Sequence, residues 1–352
     1  MKKIALLVLV CCCYPLNLKA ASDQLNQSLY NAVRFAENGN DVIIDLPMIE
    51  RSLSEGADPN WINSQDQNQT VLRNYVGLIS CCGEPFDVEK GERAVQLLFK
   101  HNAKLQAKDS DILGDPILFG KYSIVKILLE NGASVANPVW GRSAMELATA
   151  KGYQDIIDLL AIYGAKKLEH SVVLQLRLIS VSMGGTIDDI KKVIASGADV
   201  KERDKFGQTA LISALSFSIF DEMTYKRVMY ILNAGADVNQ KRMEKKRYTI
   251  TPLHQAVESS HAMFKLSEKW RSEAAKQILK ELLKRGALVS AQDDAGKTPL
   301  HIAAKYDHIF AAKLLLEAGA KVMPKDDSGK SPLDYAESGE MIKLLKKYGA
   351  KE

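Results

Sequence analysis

A dipeptide that ends in alanine recurs along this chain at a spacing close to 33 residues. It is Gly-Ala at eight places and Asn-Ala at a ninth, and it begins at residues 56, 102, 132, 164, 197, 235, 286, 319 and 349. Five of the eight intervals are 30 to 33 residues long. A period of this length is typical of repeat proteins, in which each unit buries its apolar face only against its neighbours. The period therefore argues against a single closed core.

An apolar stripe with helical spacing precedes these dipeptides. Ile124, Ile127 and Leu128 form such a stripe before Gly132. A glycine directly after an apolar helical stripe predicts that the helix ends there with a residue in the left-handed conformation.

The chain is 46% hydrophobic and 26% charged, which is the balance of a folded protein and excludes a disordered one.

A second signal, about ten residues after the dipeptide, predicts where the next helix begins. Its fullest forms are Thr251-Pro252-Leu253-His254 and Thr298-Pro299-Leu300-His301. A threonine hydroxyl can accept a hydrogen bond from a free amide of the first helical turn, and proline is well tolerated at the first helical position. Polar turns such as Asp293-Asp294-Ala295-Gly296 lie between the two signals and predict hairpin-like fingers.

These two motifs together resemble the ankyrin repeat. Gly-Ala-Asp-Val-Asn at 235–239 is similar to its turn, and Thr-Pro-Leu-His-Ile-Ala-Ala at 298–304 is similar to its first helix. The resemblance extends over residues 28 to 350 and is strongest from residue 197 onward. It implies an all-α solenoid of antiparallel helix pairs joined by hairpin fingers.

The predicted organisation is a leader, a terminal cap and an array. We expect residues 1–20 to be a signal peptide, residues 21–57 an N-terminal capping helix pair, and residues 58–352 an array of about eight repeat units. Insertions in repeat arrays lie in loops on one face, which is often the binding face. Departures from the period predict such insertions at 77–92, 217–227, 241–248 and 259–272.

Residues 1–20 have the composition of a secretory signal peptide. Two lysines precede an apolar run from Ile4 to Val10, and the segment ends in the small residue Ala20. The run is too short to span a membrane comfortably. We therefore expect a protein in the periplasm or secreted, beginning near Ala21. Loss of the leader would lower the net charge from +4 to +1, which gives no support for nucleic-acid binding.

Loss of the leader would leave Cys81 and Cys82 as the remaining cysteines. Because they are adjacent, the peptide between them is too short for a relaxed disulfide. Two free thiols, a strained disulfide between neighbours and an intermolecular disulfide all stay open at this point. Membrane association is expected only through a lipid anchor on an N-terminal cysteine, and Val10 before Cys11 argues against it, since lipoprotein signals have a small residue there.

Two enlargements fall within one repeat, between residues 237 and 286. The finger carries Arg242, Arg247 and Tyr248, and the segment between the helices carries Trp270. One interpretation is a basic and aromatic patch that binds an acidic partner or lipid head groups. The other is a solvated loop beside a lengthened helix whose apolar residues pack on the stack.

Three further aromatic residues lie at or beside the tips of other fingers. Trp140 and Phe206 directly precede turn glycines, and Trp61 follows Asn60 of its own turn. An exposed aromatic side chain on a tight hairpin is a frequent anchor in protein interfaces. The alternative is a ring that folds down onto the neighbouring finger.

The sequence has no recognisable pattern for reaction chemistry. It lacks a phosphate-binding glycine loop, a Gly-x-Ser-x-Gly elbow and a His-Glu-x-x-His pair. By the resemblance, His254 and His301 would hydrogen-bond to the backbone within the stack. The other histidines share no metal-ligand spacing with Cys, Asp or Glu.

We therefore expect a monomeric, non-enzymatic module without metal or cofactor, exported from a bacterial cytoplasm. It would bind a protein partner through its concave face and fingers, since solenoids offer an extended concave surface. The alternatives are a secreted effector that acts on a host protein, an envelope-associated scaffold, and an enzyme with its site in the irregular insertions.

Overall fold

Helices dominate the chain in the computed structural model. The structure describes residues 21–35, 42–66, 69–81, 87–216, 221–241, 250–259 and 269–351, with the backbone alone at 35 and 269–272. The chain divides into two compact units, Met1–Leu168 and Glu169–Glu352. The all-α repeat fold that the sequence predicts is confirmed.

The N-terminal unit combines helices with two short antiparallel strand pairs. Residues 21–31 are helical (α1). Val33–Phe35 (β1) pairs with Val42–Ile44 (β2), and Ile62–Asn63 (β3) pairs with Gln69–Thr70 (β4). The other helices are α2 (Leu46–Ser54), α3 (Val71–Cys81), α4 (Val88–Lys100), α5 (Gly114–Leu118), α6 (Tyr122–Glu130), α7 (Ala144–Lys151) and α8 (Gln154–Ile162), with a 3-10 turn at Ala107–Asp109. The segment predicted as a capping helix pair thus also holds the β1–β2 strand pair.

The C-terminal unit consists of helices in its described part. They are α9 (His170–Gly184), α10 (Ile187–Ala195), α11 (Ala210–Leu215), α12 (Glu222–Asn233), α13 (Pro252–Ser259), α14 (Lys269–Lys284), α15 (Pro299–Lys305), α16 (Ile309–Glu317), α17 (Pro332–Tyr335) and α18 (Gly339–Lys347). Successive pairs are separated by the fingers.

Some of the predicted insertions are helical. α3 and α4 have 11 and 13 residues, against 7 and 9 in the regular pair α15 and α16. The extra residues at 77–92 therefore mostly lengthen two helices, and only 82–87 lie between them. α12 likewise covers the second half of 217–227. The predicted insertions at 241–248 and 259–272 lie mostly outside the described residues.

The helices begin and end at the residues that the motifs predict. Ser143 Oγ accepts a hydrogen bond from the Glu146 amide, and the Glu146 carboxylate accepts one from the Ser143 amide. These reciprocal bonds satisfy two amides that would otherwise lack a partner in the first helical turn. At the other end, Gly319 follows α16 with φ 87°, and Asn102 takes the same left-handed conformation after α4 with φ 67°.

Each unit has an apolar core of its own. In the C-terminal unit, Leu211, Leu253 and Leu300 occupy the same position of the helix-start motif in three repeats. All three are buried in one continuous cluster of apolar side chains. Ala303 and Ala304 are buried in the same cluster, and their small side chains leave room for close packing of neighbouring helices. The leucines of neighbouring repeats therefore share one core, as packing between adjacent repeats requires.

Replacing Leu300 with alanine should destabilise this core, because the side chain is fully buried. We expect Leu300→Ala to lower the free energy of unfolding by about 2–5 kcal/mol, with the C-terminal repeats unfolding first. Urea denaturation followed by circular dichroism measures the change. Leu288→Ala is the matched control, because Leu288 is 57% exposed. An unchanged midpoint for Leu300→Ala would contradict the assigned register.

Candidate functional site

Three described fingers of the C-terminal unit are built on the same carboxylate-centred turn. Its first residue is Asp204, Asp293 or Asp326. In each finger one Oδ accepts hydrogen bonds from the amides two and four residues further on, at 2.8–2.9 Å. The aspartate amide also donates to the carbonyl four residues on, at 2.9–3.0 Å. The sequence of each finger thus determines its own conformation, without any partner.

Adjacent fingers also contact one another directly. The Asp327 amide donates to the Ala295 carbonyl at 3.0 Å. A Cβ at Gly296 would lie 2.5 Å from Asp327 Oδ1, so only glycine allows this approach. Between other fingers of the same unit, Gln240 Nε2 donates to the Lys201 carbonyl at 2.6 Å, and Lys241 Nζ donates to the Gln292 carbonyl at 3.3 Å. These bonds connect the bases and tips of neighbouring fingers.

The two motif histidines connect each helix start to the following finger. Thr298 donates its amide to His301 Nδ1 at 3.0 Å, so the ring proton is on Nε2, which donates to the Lys330 carbonyl at 3.1 Å. His254 repeats the arrangement, with Nε2 3.0 Å from the Lys297 carbonyl. The prediction that these rings bond to the backbone within the stack is confirmed. Burial lowers the pKa of both imidazoles.

The finger before α7 has a different turn. Val139 and Arg142 exchange both backbone hydrogen bonds, at 2.7 and 2.9 Å, around a two-residue turn. Both turn residues have positive φ, 48° at Trp140 and 77° at Gly141. The Trp140 side chain is 55% exposed, and its ring edge lies across Gly114 at the start of α5. A Cβ at Gly114 would lie 2.4 Å from Val139 Cγ1 and 3.3 Å from that ring, so the glycine leaves room first for Val139 and then for the indole.

The other two predicted finger aromatics are less exposed. Trp61 is half-buried and packs edge-on against Tyr30, with ring centroids 6.0 Å apart. Phe206 is also half-buried, and Lys205 Nζ lies 5.3 Å from its ring centroid. The ring at Trp61 therefore packs against α1, and not on the neighbouring finger that the alternative interpretation expected, whereas Trp140 is presented to solvent. Trp61 and Trp140 have different neighbours and do not form one aromatic cluster.

The predicted basic patch stays a prediction. Arg242, Arg247 and Tyr248 lie outside the described residues. Trp270 lies in the first turn of α14, but its side chain is also outside the described part.

Only one of the two adjacent cysteines is among the described residues. Cys81, at the end of α3, is a free and exposed thiol, whereas Cys82 is not among the described residues. Partial burial, with a smaller contribution from Asp115, nevertheless raises the pKa of the Cys81 thiol. A raised pKa reduces the thiolate fraction, and the thiolate is the nucleophilic form. Cys81 is therefore poorly suited to nucleophilic chemistry.

One group of charged residues in the N-terminal unit was not predicted. Arg73 of α3 forms a bidentate ion pair with Asp111, and Asp115 of α5 lies beside it. Burial, opposed by Arg73 and supported by Asp111, raises the pKa of the Asp115 carboxyl. Asp115 Oδ2 would be 3.9 Å from a Cβ at Gly77. The glycine inside α3 was the only signal for this group in the sequence, because the period does not depend on these positions.

The described residues show neither a metal-binding group nor a membrane-spanning helix. No group of three or more His, Cys, Asp or Glu side chains there could hold a metal ion. No helix in the same part of the chain is long and apolar enough to cross a membrane.

One family model matches the C-terminal part of the chain. Residues 271–352 match the family model for ankyrin repeats, in three copies. The match begins within α14 and includes α15 to α18 and the fingers that begin at Asp293 and Asp326. No curated protein matches the chain.

The buried histidines should make the protein less stable in mild acid. Because their pKa values are lowered in the folded state, the unfolded state takes up protons first as the pH falls. Their contribution is full above the unfolded pKa of about 6.5 and is lost below it, at about 1.4 kcal/mol per pH unit for each histidine down to its folded pKa. Urea midpoints at pH 7.5 and 5.5 measure this loss.

Variants separate the histidines from the other titrating groups. In His254→Asn/His301→Asn the difference between the two midpoints should shrink. His170→Asn is the control, since His170 is exposed, and it should behave as wild type. An equal pH dependence in all three proteins would show that the two imidazoles do not titrate as described.

Proposed function

Because residues 271–352 are ankyrin repeats, we propose that the chain is a non-enzymatic module that binds a protein partner through its fingers and the concave face of its repeats. Ankyrin repeats suggest protein–protein interaction, and repeat stacks offer extended binding surfaces. The main support is that the fingers at Asp204, Asp293 and Asp326 have their conformation fixed by their own hydrogen bonds. A surface formed in advance loses less conformational entropy on binding.

The proposal includes export. The support is the basic start, apolar run and small final residue of segment 1–20. An exported protein of this kind would act in the periplasm, for example by neutralising a toxin, or as a secreted effector on a host protein. A toxin gene next to this one would favour the periplasmic role.

Export predicts the start of the mature protein. Protein purified from its native host should begin at Ala21 or within a few residues of it, because signal peptidases cleave after a small residue such as Ala20. N-terminal sequencing or intact-mass spectrometry measures this directly. Retention of Met1 in that material would contradict export and every conclusion that depends on it.

The finger within 237–286 is the proposed contact with the partner. Its base is fixed between two neighbours, since Gln240 bonds to the Lys201 carbonyl and Lys241 to the Gln292 carbonyl. Arg242, Arg247 and Tyr248 follow this base directly in the sequence. Together with Trp270 they would form a basic and aromatic surface suited to an acidic partner.

Charge reversal should separate steering from anchoring. Arg242→Glu/Arg247→Glu should slow association with the native partner, and wild-type binding should weaken with salt, because charges are screened beyond about 10 Å at 0.1 M. Trp270→Ala should instead speed dissociation, with a loss of binding free energy of about 2 kcal/mol or more. The native partner is first identified by cross-linking in the native host. Surface plasmon resonance with that purified partner then measures both rates.

Controls and thermal melts complete this test. Lys280→Glu/Lys321→Glu reverses two exposed charges elsewhere in the same unit and should leave both rates unchanged. All four proteins should melt alike if Trp270 faces the partner. Unchanged affinity in every variant would place the partner elsewhere, with the fingers of Trp61, Trp140 and Phe206 as the next surface to test.

A further inference from the structure

Three equivalent lysines lie on the second helices of the last three repeats. Lys280, Lys313 and Lys343 each lie six residues before the Gly-Ala dipeptide of their repeat, and all three are exposed. The helices that carry them, α14, α16 and α18, pack side by side in the C-terminal unit. At the six earlier dipeptides the equivalent residue is lysine only twice. These residues are Glu50, Gln96, Lys126, Asp158, Lys191 and Met229.

The core fixes the direction of the three lysine side chains. Leu282, Leu315 and Leu345, two residues further along each helix, are buried in the core of the unit. Two residues correspond to a rotation of about 200° in an α-helix, so the lysines lie on the side opposite to the core. Neighbouring packed helices are about 8–10 Å apart, so the three lysines form one surface row about 20 Å long.

The stability of the helices does not explain lysines at these positions. Lys276 and Lys284 lie four residues before and after Lys280 on α14, and like charges at this spacing destabilise a helix slightly. The helix macrodipole favours cations only in the last turn. Lys313 and Lys343, however, are each the fifth of nine residues in their helices. The row therefore calls for a cause outside the helices themselves.

Acidic residues on the same helices compensate this charge only in part. The described side chains of α14, α16 and α18 include seven lysines and four glutamates. In contrast, α2, α4, α6 and α8 of the N-terminal unit together carry five basic and six acidic residues. Lys313 forms an exposed ion pair with Glu317 at 3.9 Å, and such pairs contribute little. Among the described residues, Lys280 and Lys343 form no ion pair.

The composition of this surface favours a lipid bilayer over a protein as its partner. Protein interfaces are depleted in lysine and depend on aromatic and arginine anchors. The described side chains of α14, α16 and α18 include no exposed aromatic residue and no arginine. A single small anion is also a poor match, because charges about 10 Å apart do not converge on it. Lysines spread over an extended area are instead attracted by the negative surface potential of a membrane with acidic lipids.

We propose that Lys280, Lys313 and Lys343, here called the lysine row, hold the C-terminal unit against the surface of a membrane that contains acidic phospholipids. Each ammonium group would contact lipid phosphates while its alkyl chain stays along the helix. The three lysines are 33 and 30 residues apart, so the row does not appear as a basic cluster in the chain. This inference goes beyond the proposed function, because it concerns lipid and not the protein partner.

Co-sedimentation of the full chain with sucrose-loaded vesicles tests the lysine row. Vesicles with equal amounts of phosphatidylglycerol and phosphatidylcholine supply the acidic surface, and pure phosphatidylcholine is the neutral reference. The apolar run Ile4 to Val10 is present in every protein. The measured quantity is therefore the ratio of the partition coefficients on acidic and on neutral vesicles.

Removal of two charges from the lysine row should weaken binding to the acidic vesicles. In Lys280→Gln/Lys343→Gln the ratio should fall about 25-fold, at about 5-fold for each lysine near an acidic surface. The wild-type ratio should also fall towards one in about 1 M NaCl, where charges are screened beyond about 3 Å.

Lys126→Gln/Lys191→Gln is the matched control. Both lysines are exposed at the equivalent position of other repeats, and their loss changes the net charge by the same amount. Lys126 even pairs with Glu130 at 3.9 Å, much as a lysine of the row pairs with its own glutamate. The control should bind both kinds of vesicle as wild type does. All three proteins should melt within about 3 °C of one another, because the changes are at exposed positions.

Three results would overturn the lysine row. The first is equal binding of the wild type to acidic and neutral vesicles. The second is an equal loss in both double variants, which would assign the attraction to net charge. The third is binding to poly-glutamate but not to acidic vesicles, which would assign the row to an acidic protein. The proposed function is tested without lipid, where reversal of Lys280 should leave partner binding unchanged, so the two proposals fail separately.

Discussion

The arrangement of the C-terminal repeats depends on one interaction, the hydrogen bonds that His254 and His301 make in two directions. Each ring accepts from the threonine that caps its own helix and donates to a carbonyl of the following finger. Both rings are completely buried, where an unsatisfied donor would cost about 1–3 kcal/mol. The start of one helix and the position of the next finger are therefore fixed together, and the leucine core beneath them is aligned at the same time.

The fingers extend this order to the surface. The carboxylates of Asp293 and Asp326 satisfy the amides of their own turns, and the Asp327 amide bonds to the preceding finger. The polar groups in these bonds are already ordered, so the binding of a partner costs little further conformational entropy for them. Pre-organised surfaces of this kind gain affinity by avoiding that entropy cost, which is the physical basis of the proposed function. The turn at Trp140 differs from these fingers, because a large ring occupies a position that favours Asn or Asp.

The fold was largely predictable from the sequence because its determinants are local. Caps such as Ser143 and left-handed glycines such as Gly319 act within a few residues of their position, so the sequence shows them directly. The division after Leu168 was not predicted, because the dipeptide at Gly164 keeps the period there. The β1–β2 pair was also missed, since strands this short have little pattern of their own.

The candidate site was less predictable because it depends on contacts between distant residues. Both Trp61 and Trp140 were expected at finger tips, but which ring packs inward depends on Tyr30 in one case and Gly114 in the other. Asp115 belongs to no motif, and the surroundings of its carboxyl are formed by Gly77 and Arg73 on the neighbouring helix. Sequence spacing can place a residue on a finger or helix, but it does not give the neighbours that decide its exposure.

The central claim is that the fingers are ordered before any partner binds, and amide hydrogen exchange tests it most directly. In the free protein the amides of Asp327, Ser328 and Lys330 donate to Ala295 O and Asp326 Oδ1. They should therefore exchange at least about 100-fold more slowly than in an unstructured peptide when followed by NMR. Exchange at the rate of an unstructured peptide, beside a protected helix α15, would contradict the account, because the fingers would then take shape only on binding.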